Sequence, residues 1–293
     1  MNHQLLQQFV HLADQLHFGR ASELCLVSPS SLSRRIRKLE DELGVSLFER
    51  NNRSVSLTHA GRLFLEYARN ALSEWEAIRN TLMQQSGELH GEIRMYCSVT
   101  ASYSFLFDML ESFRLEHPHI EIKLHTGDPE DAVERVLAGY EDISIGARPD
   151  RLPAGLTFKP IAISPLVFIA SRSLAKKIRG ESRERGSSQW ANRPMILPER
   201  GLARQRVDDW FRTKGITASI YSQVAGNEAI VSMVSLGFGI GVVPRIVLEN
   251  SPLAGSVEVL RTDPELNPYE VGLFTLEKRL SSPLIRTFWS QLK

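Results

Sequence analysis

Residues 28–44, SPSSLSRRIRKLEDELG, say more about how this chain folds than any other stretch. Ser28 is a helix-capping hydroxyl, Pro29 suits the first helical position, and Gly44 suits the left-handed residue that ends a helix. Leu32, Ile36, Leu39 and Leu43 are spaced by four, three and four, so they lie within about 60° of one another on a helix. Ser30, Arg34, Arg37 and Asp41 take the opposite face, with Ser33 and Lys38 beside them. Such a basic run is ordinarily a solvated face. A nucleic-acid reading needs support from the segments on either side.

Both sides supply it. Leu5, Leu6, Phe9, Val10, Leu12, Ala13 and Leu16 share one face and predict a first helix to about residue 17. Phe18-Gly19 breaks it, and a short second helix runs through Ala21, Leu24, Cys25 and Leu26. Helix, short helix, turn, helix is the helix-turn-helix order, whose last helix enters the major groove by its N-terminal end. After it, SLFER and SVSLT alternate as two short strands around an Asn51-Asn52-Arg53 turn. This hairpin is a wing, with Arg50 and Arg53 at or near its tip. Residues 1–60 hold seven basic and six acidic side chains, so the basic groups form local clusters in a nearly neutral domain.

Thr58 opens a long helix in which Phe64, Ala68, Ala71, Trp75, Ile78 and Leu82 repeat by four and three, the seam of a coiled coil. A helix packed on its own domain is the alternative. The length of the repeat favours pairing of two chains.

From Gly91 strands alternate with helices, the sign of a parallel sheet. Two α/β units are expected, with the chain passing between them near residues 162 and 268. The expected organisation is a mainly α winged helix-turn-helix (1–58), a linker helix (59–90) and a two-lobed α/β domain (91–293). Lobe I takes 91–161 and 269–293, and lobe II takes 162–268. Residues 176–189 read as a solvated mixed-charge loop. Loops after strands in such sheets face ligand. CSVTASYS places Ser98, Thr100, Ala101 and Ser102 at one strand end, although a helix-capping hydroxyl without ligand is the usual reading of a single such turn. Thr126 and Arg148 end two further strands, and Arg148 could pair a carboxylate. Pro198-Glu199-Arg200-Gly201 and Gly226-Asn227-Glu228 hold the corresponding places in lobe II, with Glu199 and Asn227 as the expected effector contacts.

Catalysis has little support. There is no GxSxG elbow, metal-spaced His pair or P-loop, so no enzyme, cofactor or metal is expected. GFGIG (237–241) lacks the third glycine of a dinucleotide fingerprint. Cys25 and Cys97 match no metal or redox spacing and read as inert buried thiols. The first residues do not form a secretory signal, and the most apolar stretch, 230–244, is short of a membrane span. A cytoplasmic protein is expected. Net charge is only +1, so bulk electrostatics announce no nucleic-acid partner.

The first sixty residues resemble the LysR-type transcriptional regulators. Phe18-Gly19-Arg20-Ala21-Ser22, Val27-Ser28, Leu32-Ser33-Arg34, Leu43-Gly44, Leu47-Phe48-Glu49-Arg50 and Leu57-Thr58-His59-Ala60-Gly61 carry the likeness. The two-lobed remainder matches that family's effector domain, of periplasmic-binding-protein type. The resemblance implies a homotetramer acting on operator DNA with RNA polymerase. On this footing Ser30, Ser33 and Arg34 face base edges. Ser31, Lys38 and Arg20 touch phosphates, with Arg37 and Arg50 also in the DNA-binding set, and Arg53 reaches the minor groove. One departure is that the family's frequent Gln-Pro-Ala after Val-Ser is Pro29-Ser30-Ser31 here, which removes a base-contacting amide. CSVTASYS, HTGDPEDAVERV and GNEAIVSMVSLGFGIGVVP further resemble the branch of the family that activates isoleucine and valine synthesis. That likeness implies 2-acetolactate or 2-aceto-2-hydroxybutyrate as inducer. A regulator of another small-acid pathway remains an alternative. So does a cytoplasmic small-acid-binding protein or enzyme, which would leave the wing arginines without a task.

Overall fold

The computed structural model describes residues 2–50, 54–84, 89–181, 190 and 192–292, and the chain forms two compact units. The first comprises residues 1–90 with 281–284, and the second residues 91–280 with 285–293.

The first unit holds helices α1 (His3–Gln15), α2 (Phe18–Leu24) and α3 (Pro29–Leu43), strands β1 (Phe48–Arg50) and β2 (Val55–Leu57), and helix α4 (His59–Gln84). Phe18-Gly19, expected as a break, instead begins α2, because His17 Nδ1 accepts the Arg20 N–H at 3.2 Å and caps it. Ser28 caps α3 by accepting from Ser31 N–H, and Gly44 closes it at φ +69°. Leu32, Ile36 and Leu39 are fully buried with Phe9 and Leu12. Leu43, the last of the stripe, is exposed, since the core ends one turn earlier.

Strands β1 and β2 pair antiparallel with Phe48 opposite Leu57. One carboxylate fixes this hairpin to α3. Glu40 Oε1 accepts from the Leu47 and Phe48 amides at 2.9 and 3.0 Å, and its Oε2 accepts from Arg50 Nη2 at 2.7 Å. The junction with α4 is equally specific. Thr58 Oγ1 donates to the Ser46 carbonyl at 2.8 Å and accepts from Gly61 N–H at 2.8 Å. A Cβ on Gly61 would lie 2.0 Å from the Leu47 carbonyl oxygen, so only glycine lets helix and hairpin approach this closely.

The expected seam of α4 divides in two. Phe64, Ala68 and Ala71 pack on the core of their own unit, with Phe64 edge-on to Phe9 at 4.8 Å. Trp75, Ile78 and Leu82 are 54%, 58% and 65% exposed.

The second unit contains two five-stranded sheets of matching order, β4-β3-β5-β12-β6 and β9-β8-β10-β7-β11. Their strands are β3 (Gly91–Cys97), β4 (Ile120–Thr126), β5 (Ile143–Ala147), β6 (Leu156–Ser164), β7 (Leu166–Ser171), β8 (Pro194–Pro198), β9 (Ser219–Val224), β10 (Ile240–Pro244), β11 (Val257–Leu260) and β12 (Tyr269–Leu276). Three strands in each are parallel and each of the other two runs antiparallel to its neighbour, so the sheets are mixed rather than purely parallel. The lobes are joined where β6 passes into β7 and where β11 passes into β12. The first crossing falls at Pro165, slightly later than the expected residue 162, because β6 stays paired with β12 as far as Ser164.

Two expectations change here. Strand β6 is absent from the sequence reading, since it lacks clean alternation and carries Pro160. Its edge position tolerates that proline, and β6 bulges at Ile161, between the residues that pair with Val271 and Gly272. Residues 176–181 are not loop but the end of a helix, Arg172–Glu181. Ala175 and Ile178, three apart, bury that helix against lobe II, a stripe the flanking charges obscure. Residues 182–189 lie outside the described residues.

Replacing Glu40 with Ala should strand the Leu47 and Phe48 amides and loosen the wing by about 1–3 kcal/mol. Native-state hydrogen exchange at those two amides would then accelerate. Unchanged exchange would mean that Glu40 does not hold the wing.

Candidate functional site

The helix-turn-helix face and the interlobe cleft are separate candidate sites. On the first, Arg20, Arg34, Arg37 and Lys38 are exposed and make no side-chain hydrogen bond or ion pair among the described residues. These cations cover the start and middle of α3 and the facing turn of α2. The serines are less available. Ser30 Oγ lies 3.1 Å from the Ser28 cap, Ser31 is partly buried, and Ser33 Oγ accepts from Arg50 Nη1 at 3.5 Å. Arg50 itself is turned inward, paired to Glu40 and stacked 5.0 Å over the Phe18 ring. It braces the wing against α2 and α3 instead of lying free for DNA. Arg53 lies outside the described residues.

The cleft is built from the C-terminal ends of the parallel strands of both lobes, as expected for α/β sheets. A cavity of about 60 Å³ lies there, lined among others by Ser98, Thr100, Ala101, Glu199 and Asn227. Three expected residues are not in the lining. Ser102 Oγ donates back to the Val99 carbonyl at 2.6 Å. Thr126 is exposed at the end of edge strand β4. Arg148 pairs with Glu270 at 3.3 Å and lies over the Phe158 ring. Ser98 lines the cavity, but its hydroxyl accepts from Ala101 N–H at 3.2 Å as an ordinary helix cap. Cys97, beneath this turn, is an inert thiol whose pKa burial pushes up to about 12; Cys25 is only partly buried.

Acidic side chains cross the cleft and hold the lobes together. Glu228 of lobe II accepts from Thr100 at both N–H (3.2 Å) and Oγ1 (2.5 Å). Asp128 and Asp131 of lobe I take Arg200 of lobe II at 3.1 and 2.6 Å. Glu130 accepts from Leu202 N–H at 3.3 Å, at the start of the Gly201–Thr213 helix. A Cβ on Gly201 would fall 1.7 Å from the Glu130 carboxyl carbon, and Gly201 sits at φ +88°, so glycine alone permits this contact. Burial raises the Glu130 carboxyl to about 7; the Leu202 N–H and Arg200 pull it down, while Asp128 and Asp131 add to the rise. Tyr269, also in the lining, is pushed up by burial and by the Glu130 charge.

Arg200 and Glu228 fall in the strand-end segments read from sequence, whereas Glu130 was not singled out. Asp-Pro-Glu-Asp at 128–131, directly after a strand end, was the available signal. Their pairing across lobes is purely tertiary. Among the described residues no three His, Cys, Asp or Glu side chains are grouped to hold a metal.

Comparison with known proteins yields matches along the whole chain. A family described as "Bacterial regulatory helix-turn-helix protein, lysR family" matches residues 3–62, and "LysR substrate binding domain" matches residues 86–293. The HTH-type transcriptional activator IlvY of Salmonella typhimurium is 42% identical over 290 residues, 98% of each chain. The HTH-type transcriptional regulator IlvY of Escherichia coli K12 is 43% identical over 291 residues, covering 98% of this chain and 97% of the relative. Full-length CbnR complexed with its target DNA shares the fold at TM-score 0.66 and 23% identity, covering 100% of this chain and 99% of that one.

The raised Glu130 pKa makes stability pH-dependent. Between the ordinary value of 4.5 and about 7 the folded state binds a proton that the unfolded chain has released, so stability falls as pH rises through that window. Glu130→Gln should therefore match the parent at pH 5 and exceed it at pH 8, by about 1–3 kcal/mol. Thermal unfolding at the two pH values measures this, and parallel curves for parent and variant would refute the raised pKa.

Proposed function

The chain belongs to the LysR family of bacterial transcriptional regulators, and from that premise we propose that it activates branched-chain amino-acid synthesis genes when a small acid occupies the interlobe cleft. The observation that carries the effector half is Thr100, whose N–H and hydroxyl already hold a carboxylate, that of Glu228. A ligand carboxylate suits the same donors. Glu228 is exposed, so its displacement into water costs little. The resemblance to IlvY supports 2-acetolactate or 2-aceto-2-hydroxybutyrate as that acid.

On the DNA side, exposed Arg34 near the start of α3 is the base reader, while Arg20, Ser31, Arg37 and Lys38 bind phosphates. Ser30 and Ser33 stand beside Arg34 as secondary contacts, their hydroxyls partly engaged within the protein. The exposed second half of the α4 seam pairs with a second copy, the first half being spent on its own domain. Two such dimers form a tetramer, which recruits RNA polymerase in the cytoplasm. Sedimentation as a single chain would remove this assembly. Effector binding changes the lobe arrangement only as far as its affinity differs between the two states.

Arg34→Ala should cost about 1–3 kcal/mol on the cognate operator and less on random duplex, as a base contact does. Equal losses on both would make Arg34 a phosphate contact. Affinity measured between low and moderate salt should fall steeply through counterion release, and a flat response would eliminate the DNA-binding half. Calorimetric titration with 2-acetolactate should give saturable binding that Thr100→Val weakens while operator affinity persists. Undiminished binding by the variant would move the site away from Thr100.

A further inference from the structure

Ser164 is the last residue of β6, immediately before Pro165 and the first crossing between lobes. It is 4% exposed, lines the interlobe cavity, and its hydroxyl has no hydrogen-bond partner among the described residues. Lobe I does not leave its hydroxyls idle as a rule. Ser144 and Thr275, both fully buried, donate to the Ala132 and Asp142 carbonyls at 2.6 and 2.7 Å. Two other cavity hydroxyls are engaged, Ser98 as a helix cap and Thr100 by Glu228. A buried hydroxyl without a partner is costly, and its placement on a cavity wall calls for a partner that arrives with a ligand.

The surroundings indicate the chemistry of that partner. Of the strand residues that line the cavity with Ser164, Ile145, Ala147, Pro244 and Val271 are apolar, and Tyr269, opposite Ser164 on β12, adds a neutral hydroxyl. Arg200 is the sole basic side chain in the lining among the described residues, and it is held by Asp128 and Asp131. A carboxylate placed against these strands would lose its hydration without gaining a cation, whereas a neutral oxygen loses far less. A serine hydroxyl can donate to a keto oxygen or accept from a hydroxyl.

We infer that Ser164 is the specificity contact of the cleft, hydrogen-bonding a neutral hydroxyl or keto oxygen of the effector while the effector's carboxylate goes to Thr100. This rests on the reading that a small acid occupies the cleft, and it adds a requirement. The effector carries a second, uncharged oxygen, and simple carboxylates bind weakly because they leave Ser164 unpaired.

The test is calorimetry on full-length protein and its Ser164→Ala variant. One ligand is 2-acetolactate, and the other is 2-methylbutyrate, the same carbon skeleton without the hydroxyl and keto oxygens. The variant should bind 2-acetolactate about 5–30-fold more weakly and 2-methylbutyrate unchanged. Its melting temperature without ligand should equal or exceed the parent's, since the lost hydroxyl had no partner. Undiminished 2-acetolactate binding, equal losses for both ligands, or a lower melting temperature would each overturn the role of Ser164. If the parent binds neither ligand, nor lactate, pyruvate or 2-ketoisovalerate, the small-acid reading itself falls, and the inference with it. If it binds one of these three instead, the same comparison is made on that acid.

Discussion

Carboxylates that capture backbone amides of a distant element recur throughout this protein, and they determine how its parts are held. Glu40 takes two amides of the wing, Asp142 takes the Arg94 amide within lobe I, Glu130 takes the Leu202 amide and Glu228 the Thr100 amide across the cleft. Such bonds are stronger than neutral ones and directional, and they join segments that apolar packing alone would leave free to slide. Their burial varies, and so does their use. Asp142 is deep in lobe I; burial alone would raise its pKa, but Arg94 and Arg279 hold it below the ordinary range. Glu228 is exposed and can let go.

The first unit was largely legible in sequence because its determinants are local. The Ser28-Pro29 start, the Leu32–Leu39 stripe and the Gly44 end are each read from neighbours within a few positions, and the structure has all of them. The Leu57-Thr58-His59-Ala60-Gly61 signature becomes physical at Thr58, which ties hairpin to helix, and at Gly61, which makes room for Leu47. What sequence could not give is which cations are free. Arg34 and Arg50 look alike in a list of basic residues, yet Glu40, ten positions before Arg50, claims one of them.

The cleft was legible by position and opaque by partnership. Strand-end logic led correctly to Thr100, Glu199 and Asn227 as lining residues. It also led to Arg148, which faces Glu270 on the neighbouring strand, and to the segment holding Arg200 but not to its partners, which come from the other lobe. Ser164 left no trace at all, because it ends an edge strand whose pattern is interrupted by a proline and because its distinction is a missing bond.

The position of Ser164 at a crossing has a mechanical consequence. Near a pivot, atoms of the two lobes hardly separate when the angle between lobes changes, whereas atoms at the mouth travel far. A bond formed at the pivot therefore contributes nearly the same free energy in open and closed forms and cannot itself drive switching. Thr100 and Glu228 bond across the gap between the lobes, so on the proposed reading a ligand carboxylate that competes with Glu228 couples lobe angle to occupancy there. On that reading, the identity of the ligand and the response to it rest on different residues of one cavity, Ser164 and Thr100, and substitutions at either can change one with little effect on the other.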